Sequence, residues 1–260
     1  MQDVPGERFS FLSDGITLAA WYFALPGDHA PPKARVVMCH GLPSGAPVDP
    51  ADPGYPGLAS RLNEQEYEAV FFNFRGCGES GGNLDLAGWV RDLVRLLDAL
   101  EERTPRSPAP IAAMASSAGA AVAMLAAAED RRIAAIAALA APAHFGFMLD
   151  GADPALLVEY FRGIGLIRDP DFPESADQWI KGFSEAQTAR YAALLSPRPL
   201  LVIHGQDDPT VPVQHARRIL EAAGEPKEAL FLPDAGHRLR QDERAISRVL
   251  DWLDRLFGAK

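Results

Sequence analysis

PIAAMASSAGAAVAMLAAA (residues 110–128) is the stretch on which the fold turns. PIAAM reads as a short buried strand, the Ala-rich second half as a helix, and ASSAG (115–119) as the turn between them. A serine at such a strand-to-helix turn meets the placement that a nucleophile elbow requires. The backbone there is crowded, so the positions two before and two after the serine must be small. Ala115 and Gly119 satisfy this around Ser117, with Ala standing where the usual G-x-S-x-G pattern has its first glycine. Around Ser116 the same positions are Met114 and Ala118, and the methionine side chain would collide with its neighbours. The stretch is nearly free of charge, but Ala, Ser and Gly are too weakly apolar to predict a membrane span.

Working outward, short apolar runs alternate with helix-like segments. ARVVMC (34–39), EAVFFNF (68–74), IAAIAAL (133–139), PLLVIH (199–204) and EALFLP (228–233) read as further strands. WVRDLVRLLDALEE (89–102) and AISRVLDWLDRLF (245–257) carry apolar residues at three- and four-residue spacing and read as helices packed on a sheet. RFSFLSDGITLAAWYFAL (8–25) alternates around Asp14-Gly15, a β-hairpin signal. The expected fold class is α/β: a mostly parallel central sheet opened by an antiparallel hairpin, with helices on both faces. Residues 143–195 break the rhythm with short helical pieces, so the chain is expected to be one domain over 1–260 with a cap insertion at about 143–195.

Two more segments carry chemistry. HGQDDPTVP (204–212) puts Asp207 and Asp208 in the loop after a parallel strand, the edge where catalytic side chains gather in open sheets. DAGHRL (234–239) puts His237 between the last strand and the last helix, better placed to act as a base than any of the other five histidines. The order Ser, Asp, His is that of α/β-hydrolases rather than of chymotrypsin or subtilisin.

At this point the chain resembles the α/β-hydrolase superfamily over nearly its whole length, on VVMCHGLP, NFRGCGESGG, ASSAG, and HGQDDPTVP with DAGH. The resemblance implies the family's fold and a catalytic acid at Asp208 rather than Asp207. It implies an oxyanion donor at the backbone amide of Leu42, after His-Gly; the second donor, from the elbow geometry, is the amide of Ala118. RGCGES (75–80), including Cys77, is expected to be structural, as are His40, His144 and His204.

These residues predict a serine hydrolase acting on carboxylic esters, with Ser117 as nucleophile, His237 as general base and Asp208 orienting the base. A peptidase, lactonase or thioesterase would use the same residues, and a catalytically silent hydrolase-fold binding protein is the rival from another class. A dehalogenase or epoxide hydrolase would need a carboxylate where Ser117 stands. No cofactor is expected, and with only Cys39 and Cys77 neither a disulfide framework nor a metal site is expected.

A net charge of −10 and an N-terminus, MQDVPGERFSF, without a secretory pattern predict a cytoplasmic protein with no nucleic-acid or membrane partner. Between Asp150 and Arg190 lie eight acids, four bases and the aromatics Tyr160, Phe161, Phe172, Trp179 and Phe183. This segment is expected to roof the site, with one or two aromatics lining it and its negative field favouring a neutral ester substrate.

Overall fold

The computed structural model describes residues 6–25, 31–45, 50–104, 109–258. The first five residues of the N-terminal stretch read above lie outside these. The hairpin forms as expected: β1 (Glu7–Ser13) and β2 (Ile16–Phe23) pair antiparallel across Asp14 and Gly15, both at positive φ (51° and 75°). Two residues with positive φ make the turn whose twist matches the flanking strands.

The remaining strands are β3 (Arg35–Cys39), β4 (Glu68–Phe72), β5 (Ile111–Ser116), β6 (Ile133–Leu139), β7 (Leu200–Gly205) and β8 (Lys227–Leu232). They form an eight-stranded sheet in the order β1-β2-β4-β3-β5-β6-β7-β8. β2 runs antiparallel to β4, and every pairing from β4 to β8 is parallel. β3 and β7 are buried along their whole length, which explains why both read as unbroken apolar runs.

Helices cover both faces. On one lie α1 (Gly54–Glu64) and α9 (Glu243–Phe257), whose Ile246, Val249, Trp252 and Leu253 are buried against the sheet. Asp242 caps α9 by accepting from the Arg244 amide, and the apolar three- and four-residue spacing supplies the buried face. On the other face are α2 (Leu86–Arg103), which buries Trp89, Leu93, Leu96, Leu97 and Leu100, and the Ala-rich α3 (Ala118–Glu129). Between β6 and β7 come four helices: α4 (Gly146–Leu149), α5 (Pro154–Gly163), α6 (Ala176–Glu185) and α7 (Thr188–Ala192). Trp179 of α6 donates to the Leu84 carbonyl at 2.7 Å and fastens this insertion beside α2. Between β7 and β8 lies α8 (Gln214–Ala222). Among the described residues no helix is long and apolar enough to cross a membrane.

Candidate active site

Ser117 sits between β5 and α3 with φ 52° and ψ −126°, a positive φ that a residue with a β-carbon rarely adopts. Ala115 is fully buried beside it. Gly119 lies so close to β3 that an added β-carbon would run into the His40 carbonyl oxygen and reach the Cys39 carbonyl oxygen at 2.9 Å. The small flanks read from the sequence therefore have a steric cause: the turn is pressed against the end of β3.

His237 reaches the serine from the loop after β8. Its Nε2 lies 3.1 Å from Ser117 Oγ, and its Nδ1 lies 2.8 Å from Asp208 Oδ2. The Asp208 side chain is fully buried, and its other oxygen accepts from the amides of Thr210 (2.8 Å) and Val211 (2.9 Å). Burial pushes its carboxyl up, but the His237 hydrogen bond and these two amides outweigh that and hold it below the ordinary carboxylate range. Asp207 is exposed and takes no part in these bonds. The pattern fixes a tautomer: a carboxylate only accepts, so Nδ1 carries the proton and Nε2 is free to take one from Ser117.

His40 donates from Nδ1 to the Gly41 carbonyl at 2.7 Å and accepts at Nε2 from the Phe74 amide at 3.2 Å. A trans peptide points its C=O and N–H in opposite directions, so holding the Gly41 carbonyl orients the Leu42 N–H away from His40. Gly41 abuts the elbow, since a β-carbon there would lie 2.8 Å from Ser117 Cβ. Among the described residues the amides of Leu42 and Ala118 have no protein acceptor. Burial pushes His40 down to about 4 despite its bond to Gly41, which keeps the ring neutral. His204 donates to the Val211 carbonyl at 2.8 Å and stabilises the loop that carries Asp208. His144 accepts from the Gly146 amide at 3.0 Å. Cys77 lines the cavity, but burial pushes its thiol up to about 12, so it stays protonated.

Ser117 opens on a cavity of about 850 Å³ that runs across the carboxyl edge of the sheet. Of the five aromatics singled out in the insertion, Tyr160 and Phe161 line it; Phe145, Phe147 and Met148, which the sequence did not single out, line it as well. None of the eight acids between Asp150 and Arg190 is among the lining residues. Aside from the histidines, the acidic and basic side chains that line the cavity are Asp52, Arg238 and Arg240. Asp52 and Arg240 form an ion pair that Gln241 joins, tying the segment before α1 to the turn after His237. Sequence reasoning missed this wall because its partners lie 188 positions apart. Among the described residues no cluster of three or more His, Cys, Asp or Glu side chains has metal-binding geometry.

Comparison with known proteins agrees with this architecture. The chain is 26% identical over 227 residues to the uncharacterized protein YfhR of Escherichia coli (strain K12), covering 86% of this chain and 70% of that one. It is 27% identical over 255 residues to YfhR of Salmonella typhi, with 89% and 74% covered. Among solved structures it is similar to the alpha/beta hydrolase GrgF from Penicillium sp. sh18 (TM-score 0.73, 22% identity, 98% of this chain and 100% of that chain). It is also similar to the Pyrococcus furiosus esterase Pf2001 (TM-score 0.70, 23% identity, 97% and 92%). Residues 36–252 match the sequence model of the alpha/beta hydrolase family, and the chain belongs to that family.

Proposed function

We propose that this hydrolase is a serine enzyme that cleaves carboxylic esters through an acyl-enzyme intermediate. The observation that carries the reading is the unbroken hydrogen-bonded line from Ser117 Oγ through His237 to the buried Asp208, at 3.1 and 2.8 Å, opening on a large cavity. His237 Nε2 takes the Ser117 proton as Oγ attacks the ester carbonyl, and the carbonyl oxygen becomes an oxyanion held by the Leu42 and Ala118 amides. The protonated His237 then gives its proton to the departing alkoxide, leaving Ser117 acylated. A water that loses its proton to His237 attacks the acyl carbon, and the acid and the free serine are regenerated. Asp208 holds the ring in its reactive tautomer and stabilises the imidazolium without accepting the proton. Every step is proton transfer and acyl transfer between groups of this chain, the substrate and water, so the reading calls for no cofactor.

The similarity to a protein named an esterase favours esters over the peptide, lactone and thioester substrates that the same residues could serve. The test is turnover of p-nitrophenyl butyrate against an anilide, a lactone and a thioester of matched acyl size, with wild type and Ser117→Ala. Faster ester turnover that disappears in Ser117→Ala is expected. Preference for another class would reassign the substrate, and no turnover of any of them would favour the silent binding protein.

A further inference from the structure

The cavity is asymmetric about Ser117. On the side of α2, α3 and the insertion its wall is Leu42, Phe145, Phe147, Met148, Tyr160 and Phe161, which belong to or pack on the hydrophobic cluster of that sheet face, apart from the rim residues Phe147 and Tyr160. On the side of α1 and α9 its wall is Tyr55 stacked on Phe71 (centroids 4.2 Å apart, planes 10° apart), the Asp52–Arg240 pair, Arg238 and Gln241. One side of the reacting carbonyl is therefore apolar, and the other combines a stacked aromatic pair with all the Asp and Arg side chains that line the cavity.

The chemistry assigns the two sides. The leaving oxygen must receive its proton from His237 Nε2, so the alcohol part departs on the side of the His237 loop. That loop continues directly into Arg238, Arg240 and Gln241, which are the polar wall. The acyl part is left with the apolar lobe under the insertion. This lobe does not end at the cavity: Phe147 is 40% exposed and Tyr160 51%, and Leu156, 68% exposed, lies one helical turn before Tyr160 on α5. Phe147 and Tyr160 carry the apolar lining from the cavity to its exposed rim, and a volume of about 850 Å³ far exceeds what an acetyl group fills.

Building on the esterase reading above, we infer that the substrate is amphiphilic, an ester whose extended apolar acyl chain lies in the lobe formed by Phe145, Met148 and Phe161 and leaves past Phe147 and Tyr160, with a polar alcohol part against Asp52, Arg238 and Arg240. Each buried methylene contributes about 0.8 kcal/mol, so chain length is the sensitive variable.

The experiment is kcat/KM for p-nitrophenyl acetate, butyrate, octanoate and dodecanoate, below their aggregation limits, for wild type, Met148→Trp and Phe147→Ala. The octanoate should exceed the acetate by about tenfold or more in wild type. Met148→Trp, which fills the lobe, should lower the octanoate-to-acetate ratio by about tenfold and move the optimum to shorter chains. Phe147→Ala, at an exposed position that folding tolerates, should lower the dodecanoate rate most. Preference for acetate in wild type, or a ratio that neither variant moves, overturns the inference. If no ester is cleaved, the esterase reading itself has failed, and the lobe is judged by calorimetric binding of octanamide. Absent binding, or binding that Met148→Trp leaves unchanged, then overturns it.

Discussion

Replacing Asp208 with asparagine isolates the role of one proton. The Asp208 Oδ1 atom accepts from the amides of Thr210 and Val211 at 2.8 and 2.9 Å, and an asparagine keeps both bonds only by directing its carbonyl oxygen at them. Its amide nitrogen then occupies the position of Oδ2, 2.8 Å from His237 Nδ1. That nitrogen is a donor, so Nδ1 must become the acceptor and the ring proton moves to Nε2, where it faces Ser117 Oγ instead of a lone pair. The geometry survives while the base is lost. The corresponding change in serine proteases lowers kcat by ~10⁴, or about 5.5 kcal/mol in the barrier. The assay is kcat on p-nitrophenyl butyrate for Asp208→Asn, with Asp207→Asn as the exposed neighbour and circular dichroism to verify the fold. Asp208→Asn within about tenfold of wild type, or the loss appearing in Asp207→Asn instead, would refute the reasoning.

Other consequences follow from the same structure. Gly119→Ala drives a β-carbon into the backbone of β3, which cannot swing aside as a side chain would; overpacking of this kind costs about 1–3 kcal/mol, and soluble yield and urea midpoint should both fall. Asp92 is fully buried and accepts from Arg75 at 2.7 and 3.0 Å, so Asp92→Ala leaves the buried guanidinium with only Asp14 (2.9 Å) and Ser13 (3.1 Å) as close partners and should cost about 3 kcal/mol in urea unfolding. His40, held at about 4 in the folded state against 6.5 when free, leaves the unfolded chain binding more protons between those values. Stability should therefore fall as pH drops through that window, by about 2 kcal/mol from this residue at pH 5, and His215, pushed down to about 4 chiefly by burial, acts in the same direction. Urea midpoints at pH 7 and pH 5 measure this, and His40→Asn should shrink the difference between them; an unchanged difference would show that His40 titrates normally.

How much of this was legible in the sequence depended on how far apart the interacting residues lie. Asp14-Gly15 announced the hairpin because its backbone requirement is local. The strands read from apolar runs recur within about one to two residues of their observed ends; for the inner strands β3 and β7 burial on both faces leaves a continuous signal. Ser117 could be separated from Ser116 because crowding at the turn acts on residues two positions away. Helices α1 and α8 were not singled out: α1 begins GYPG and α8 spans only nine residues, so neither shows a sustained period. The choice between Asp207 and Asp208 rested on family resemblance, whereas the structure separates them by burial and by two backbone amides. Composition could not say which side chains of the insertion line the cavity, because counting charges along 150–190 says nothing about which side of a helix they face. The acids of the insertion are not among the lining residues, and the stacked pair of Tyr55 and Phe71 joins segments that only tertiary structure brings together.

An activated Ser117 should be captured covalently by an electrophile that mimics the acyl group. The protein would be treated with an alkyl fluorophosphonate at neutral pH, digested, and the modified residue located by mass spectrometry, with Ser117→Ala and His237→Ala in parallel. One adduct on Ser117, absent from Ser117→Ala and strongly slowed in His237→Ala, is the predicted result. An adduct on Ser116, or none on the folded wild-type protein, would contradict the account.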